Sequence, residues 1–548
     1  MFHRYRLGSG SSARIVAAAA LTAAFGIPIT GPGVAAATGS ELSAPILPCE
    51  VSTFQALVSS DVTITTASKL ATPVPAVSYC QVNGFVETHG PAPTTNHVNF
   101  MVALPDAFGG RYYYLGEGGS AGFVPSPTAA LLRQGYTFAG SDGGSPSPGV
   151  DYSFGWDRTK GFDWGHRGVH VATVTTQLIA RKYYGIGNDK HESQKHDLYR
   201  YIDGCSGGGR MGNVEALLYP DDYDGVIAGA PGINTNNILF FGRVAKFLLD
   251  NPDAWIPPAT INQLSDAILA KFDGSDGALD GLVSDPTKIK VDLESLGIAF
   301  TPAQLQTLKL MTRGLNSFGQ TYPGYTLSNP IGWSGFIIGL FPPTSWVANP
   351  ATRPAGYLVF DSASRGLFGP GFDFTTDMDF NNPVQVNAWH STWEQTFVGS
   401  GTADPAGLDR FRREGGKILF WQGVADNGIT VTDTLRYYKQ LAESQRGYDR
   451  TRTFARLFLV PGLNHCGGGL GPNDVAAQAL PALTQWVERG RAPQSLLTNR
   501  ALPTPRTFLL CPYPEVSVFK GGLNNPAGLD ANDAANWTCG KANDERHD

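Results

Sequence analysis

Five residues constrain the fold of this chain more than any others. Gly204-Cys205-Ser206-Gly207-Gly208 reads G-x-S-x-G, and its flanks matter as much as its spacing. Leu198-Tyr199-Arg200-Tyr201-Ile202 before it has a strand pattern, and Gly209 to Leu218 after it reads as a helix. A serine between strand and helix must sit on a sharp, strained turn that pushes its hydroxyl into the open, and flanking glycines leave room for that backbone. The helix N-terminus that follows favours a developing oxyanion. A phosphate-binding loop is the competing reading, and it is disfavoured because no Lys-Ser/Thr follows the glycines. Ser206 is the candidate nucleophile.

A turn of this kind needs a sheet around it, and the chain supplies one. Val98 to Leu104, Arg111 to Leu115, Gly135 to Gly140 and Gly225 to Ala230 read as strands, and Val169 to Tyr184 has helical spacing. The alternation resumes late, with strands at Lys417 to Trp421 and Ala455 to Val460 and helices at Thr432 to Ala442 and Ala476 to Glu488. This order predicts an α/β fold, a mostly parallel sheet covered by helices on both faces. Between roughly Pro231 and Ser400 the alternation fails in a stretch rich in Pro, Gly, Asn, Trp and Phe. That is too long for a loop in a compact domain, so it reads as an inserted domain. The expected division is a first core part over 38–231, the insertion over 232–400 and a second core part over 401–548.

Residues 1–37 read as a secretory signal: Arg4, Arg6 and Arg14, then the apolar run from Ile15 to Ile29, then Ala35-Ala36-Ala37 at a cleavage site. The run is short for a bilayer span and Pro28 interrupts it, so a secreted protein with no membrane association after cleavage is expected. Hydrophobic residues make up 42% and charged residues 16%, a globular balance. The net charge is −6 with no Lys/Arg block, which argues against a nucleic-acid partner.

For a serine nucleophile on this kind of sheet, the partners follow in the order acid, then His. Three histidines come after Ser206: His390 in the insertion, His547 in the polar tail, and His465 just after the last apolar strand. A loop at that place can carry a base to the site, which selects His465. Asp426 directly follows the strand Lys417 to Trp421, where a carboxylate can fix the imidazole tautomer; Asp433 falls on the predicted helix, and Asp404 and Asp409 precede the strand. Six cysteines in an exported chain suggest three disulfides with fifteen possible pairings. Cys205 precedes Ser206 and Cys466 follows His465, so a bridge between them would clamp nucleophile to base. For the oxyanion, Gly207 offers the amide after the nucleophile, and Gly116-Glu117-Gly118-Gly119 offers a second, with Gly119 preferred over Gly118.

At these residues the chain resembles the tannase and feruloyl esterase family. Asp203 to Arg210, Tyr219 to Pro231, Phe458 to Gly469 and Trp486 to Pro493 resemble its blocks in order, over about Cys49 to Cys539. The resemblance implies an α/β-hydrolase core with a large inserted lid domain. It also implies secreted hydrolysis of small aromatic esters of the galloyl, feruloyl or terephthaloyl type. Its implied disulfides are Cys205–Cys466, Cys49–Cys80 and Cys511–Cys539. Gly207 departs from it where relatives often carry a larger residue, Gln422 where many have His, and Phe272 where many have Cys. The tight acidic loop Asp273 to Leu282 has oxygen-rich chemistry that suits Ca²⁺, although a solvated acidic turn would read the same way. The resemblance implies a structural calcium held by Asp273, Asp276 and Asp280 through carboxylates and by Ala278 and Leu282 through carbonyls, far from the ester. Two other functions remain open on the same residues: a non-catalytic exported binding protein, or different acyl chemistry such as peptide or polyester cleavage.

Overall fold

The computed structural model describes residues 43–187, 198–328, 330–399 and 404–541. The signal segment, the expected boundary at residue 400 and His547 lie outside them.

Nine strands build the main sheet. In chain order they are β1 (Val62–Ala71), β2 (Ser78–His89), β3 (Thr95–Pro105), β4 (Arg111–Gly116), β5 (Tyr136–Ser141), β6 (Tyr199–Cys205), β7 (Gly225–Gly229), β8 (Lys417–Gly423) and β9 (Ala455–Val460). Their order across the sheet is β1-β2-β3-β5-β4-β6-β7-β8-β9. The five pairings from β5 to β9 are parallel, and β1, β2 and β3 extend the sheet antiparallel. The parallel half follows from sequence: β7, β9 and all of β8 beyond Lys417 are buried, so they read as continuous apolar runs rather than alternating ones. β2 alternates buried and partly buried residues, the pattern of a strand with one face toward solvent.

Helices cover both faces. Met211 and Ala216 of the helix Gly207–Leu218 pack with Ala172 and Ile179 of the helix Gly168–Tyr184 in one apolar cluster. Ala479, Leu480 and Leu483 of the helix Val475–Arg489 pack against the opposite face. The chain leaves the sheet after β7 and returns at β8. Between them lie, among other elements, the helices Asn236–Asp250, Pro258–Phe272, Pro302–Arg313, Ala355–Phe368 and Pro383–Thr396. Aromatic side chains here meet Trp164 edge to face: Trp393 at 6.2 Å and Phe397, just past the last of these helices, at 5.2 Å between ring centres. After the helix Val475–Arg489 the chain adds two antiparallel hairpins, 496–510 and 515–541. No helix among the described residues is long and apolar enough to cross a membrane.

Candidate active site

Ser206, Asp426 and His465 each follow a strand at its carboxyl end, after β6, β8 and β9 respectively. Ser206 occupies φ 61°, ψ −117°, a conformation that non-glycine residues avoid, between β6 and the helix Gly207–Leu218. The strain expected of an exposed nucleophile is therefore present in the backbone. Ser206 Oγ lies 2.8 Å from His465 Nε2. His465 Nδ1 lies 3.0 Å from both carboxylate oxygens of Asp426. With Nδ1–H donating to Asp426, Nε2 is left to accept the serine proton. Burial pushes the His465 imidazole toward its neutral form, but the charge and hydrogen bond of Asp426 outweigh it, and the net shift is upward from 6.5.

The rival residues are elsewhere. Asp433 is buried on its helix and pairs with Arg436 and Asn234. Asp409 pairs with Arg412, and Asp404 caps a short helical turn. His390 lies on the helix Pro383–Thr396, with burial holding its pKa down.

Asp426 is held from several sides. The amides of Gly428 and Ile429 each donate to Oδ1 at 2.8 Å. Gln422 Nε2 donates to Oδ2 at 2.9 Å, and Thr434 Oγ1 in turn donates to the Gln422 side-chain oxygen Oε1 at 2.7 Å. Gln422 is fully buried, so its amide orientation is set by these partners. In the sequence Gln422 was a departure without a role; a polar residue directly continuing the apolar run Ile418 to Trp421 was the signal that it had one. Losing a hydrogen bond to a charged group costs about 1.5–3 kcal/mol. Gln422→Leu should therefore lower kcat by roughly 10- to 100-fold with little change in KM, measured by steady-state kinetics; an equal rise in KM would assign Gln422 to substrate binding instead.

The loop after β4 meets the nucleophile turn closely. A Cβ placed on Gly207 would lie 2.6 Å from the Gly119 carbonyl oxygen and 2.9 Å from its nitrogen. A side chain at position 207 would thus push this loop away, which explains the glycine there. Gly119 itself has φ +58°, and a Cβ on it would strike the Gly149 carbonyl at 1.8 Å. Glu117 in the same loop is buried, and burial pushes its carboxyl up to about 8, so at neutral pH it brings little negative charge to the turn.

The insertion reaches this site. Tyr325 donates to the Gly428 carbonyl at 2.6 Å, Asn427 Nδ2 to the Gly332 carbonyl at 3.1 Å, and the Phe336 ring stands 6.0 Å from that of His465. Sequence reading missed these three contacts, because they join segments far apart in the chain. All three implied disulfides form, and Cys205–Cys466 spans 261 residues with a Cα–Cα distance of 5.9 Å.

In the acidic loop, Asp273 Oδ1 accepts from the amides of Asp280, Gly281 and Leu282, and Asp276 Oδ1 from that of Ala278. Asp280 also pairs with Arg506, 226 residues away. Leu282 packs onto Gly462, three residues before His465, so the loop abuts the segment that carries the imidazole.

Comparison with known proteins agrees with this architecture. The family described as tannase and feruloyl esterase matches residues 80–529. The chain is 27% identical over 552 residues to a mono(2-hydroxyethyl) terephthalate hydrolase from Piscinibacter sakaiensis, covering 86% of each protein. It is 28% identical over 470 residues to a probable feruloyl esterase from Arthroderma benhamiae, covering 81% of this chain and 82% of that one. The crystal structure of feruloyl esterase B from Aspergillus oryzae shares the fold, with a TM-score of 0.74 at 22% identity over 90% of this chain and 99% of that one. A family match over most of the chain identifies it as a carboxylic ester hydrolase belonging to the tannase and feruloyl esterase family.

Proposed function

We propose that this protein is an exported serine esterase that cleaves esters of aromatic acids through an acyl-enzyme on Ser206. One observation carries the reading: a continuous path from Ser206 Oγ through His465 to Asp426, with links of 2.8 and 3.0 Å. In the proposed reaction His465 Nε2 takes the Ser206 proton as Oγ attacks the ester carbonyl. The oxyanion that forms accepts from the Gly207 and Gly119 amides, and His465 then protonates the leaving alcohol. Water enters by the same route to release the acid. The close approach of Gly119 to Gly207 supports that pairing of donors.

The inserted segment serves as the lid. Phe336 beside His465 offers an aromatic edge where the acyl ring would lie. The substrate class follows the relatives, whose names specify feruloyl and mono(hydroxyethyl) terephthalate esters. Residues 1–37 act as the export signal, in keeping with three disulfides. The test is a panel of galloyl, feruloyl, terephthaloyl and aliphatic esters assayed with wild type and Ser206→Ala. Turnover of the aromatic esters well above the aliphatic ones, lost in the variant, is expected. Equal rates across the panel would remove the aromatic specificity. No turnover of any ester, with no labelling by a serine-directed phosphonate, would favour a binding protein.

A structural Ca²⁺ fits the acidic loop. Asp276 is buried, and burial, opposed by the Ser284 hydroxyl and the Ala278 amide and aided by Asp280 and Asp273, pushes this carboxyl up to about 6. A cation would relieve this. Asp273, Asp276 and Asp280 would supply carboxylates and Ala278 and Leu282 carbonyls, fixing the loop that abuts the His465 segment. Binding at 100 times the dissociation constant adds about 2.7 kcal/mol. Chelation should therefore lower Tm by a few degrees in wild type and leave Asp276→Asn unchanged, with about one calcium per wild-type chain by metal analysis. Absence of both effects would remove the ion.

A further inference from the structure

His170, Glu215 and Asp222 converge from three segments outside the triad. His170 lies on the helix Gly168–Tyr184, Glu215 on the helix Gly207–Leu218, and Asp222 in the turn that leads to β7. One ligand atom from each lies within 4.8 Å of the others. Glu215 is the unusual member. It is 1% exposed and faces the Asp222 carboxyl, so no donor satisfies its oxygens unless the two acids share a proton. Such a group costs several kcal/mol unless it is protonated or meets a cation. The nearby cations do not bond to it. Arg210 spends its terminal nitrogens on the carbonyls of Gly165 and Trp164, and Arg200 on Asp224 and the Asp221 carbonyl.

The other two members are oriented. The His170 ring stacks on Tyr219 at 3.7 Å with the planes 6° apart, and its Nδ1 lies 2.6 Å from Asp222 Oδ2. Asp222 is fixed further by its backbone, whose carbonyl accepts from Gln177 Nε2 and whose amide donates to Tyr219. The side chains of His170 and Asp222 are 29% and 12% exposed, so the cluster opens to solvent on one side while Glu215 closes the other.

We infer that His170, Glu215 and Asp222 form a second metal site, for a divalent transition ion of the Zn²⁺ class. One imidazole and two carboxylates, with an open side for water, suit Zn²⁺ better than Ca²⁺ or Mg²⁺, which take oxygen ligands. Bonds of about 2.1 Å place ligand atoms about 3–4 Å apart, so the ion would replace the 2.6 Å hydrogen bond between His170 and Asp222, parting those two atoms slightly. The ion would tie the helix Gly207–Leu218, which follows Ser206, to its neighbour and to the turn before β7. Its role is structural and does not depend on the ester chemistry.

The test uses the whole secreted protein, chelated, dialysed and returned to saturating Ca²⁺, then titrated with Zn²⁺ by calorimetry. Wild type should bind one Zn²⁺ per chain and rise in Tm. Glu215→Gln, which keeps the side chain's shape, should weaken binding at least tenfold and lose the Tm rise, as should His170→Gln at its more exposed position. Three results would overturn the site: no zinc uptake by wild type, equal affinity in both variants, or displacement of zinc by calcium, which would put the ion on the 273–282 loop. A Glu215→Gln protein more stable than wild type with zinc present would also overturn it, by showing that the acid merely carries a proton.

Discussion

Ser206→Ala should lower kcat by roughly 10⁴- to 10⁶-fold without unfolding the protein. Alanine keeps the φ of 61° at the same backbone cost as serine, and the side-chain bond it loses is the one to His465. At the upper limit the loss corresponds to about 8 kcal/mol of transition-state stabilisation. His465→Ala should cost about as much and the double variant little more, since the two residues act as one unit. Asp426→Asn should cost less, roughly 10⁴-fold, by presenting the wrong tautomer. The pH profile adds an independent check. The base must be neutral to accept a proton, and Asp426 raises its pKa above 6.5. Activity should therefore fall as pH drops through a midpoint above 6.5. Asp426→Asn removes the groups that raise that value and leaves burial, which lowers it, so its residual activity should titrate below 6.5. More than a tenth of wild-type kcat in folded Ser206→Ala would refute the assignment.

What could be read from the sequence was what is local. Ser206 is fixed by five adjacent residues and a strand and helix on either side, and the structure places all of them as read, with the helix beginning at Gly207 rather than Gly209. His465 and Asp426 were legible from position alone, because each follows a buried strand whose apolar run is unmistakable. β1 and β2 were not read: most residues of β1 are exposed, which leaves little apolar pattern, but the alternation of β2 was there to read. The insertion was legible as an interruption but not as helices. Its apolar residues bury against one another and against the sheet-bearing part, in a cluster with no single periodicity. Asp280 with Arg506 and Glu215 with Asp222 and His170 depend on the finished fold. No spacing rule joins residues 280 and 506.

Cys205→Ala/Cys466→Ala should reduce both stability and kcat, and the kcat effect is the informative one. The bridge closes 261 residues, worth about 5.5 kcal/mol in the chain-entropy account, against about 3.5 kcal/mol for Cys511–Cys539, which closes 28. On loop length alone the two double variants should differ modestly in Tm. They should differ far more in rate, because Cys205 adjoins the nucleophile and Cys466 adjoins the base. Cys466 also sits at φ 59°, in the left-handed region, so the bridge holds a strained residue beside the imidazole. Without it the segment 461–469 can relax, lengthening the 2.8 Å contact between His465 and Ser206. A displacement of about 1 Å costs on the order of 10²-fold in rate. Removing Cys511–Cys539 should leave kcat near wild type at temperatures where both variants are folded. If removing Cys205–Cys466 lowers Tm but also leaves kcat unchanged, the triad is held by packing and by the hydrogen bonds around Asp426 alone, and the bridge is a stabilising cross-link with no part in positioning.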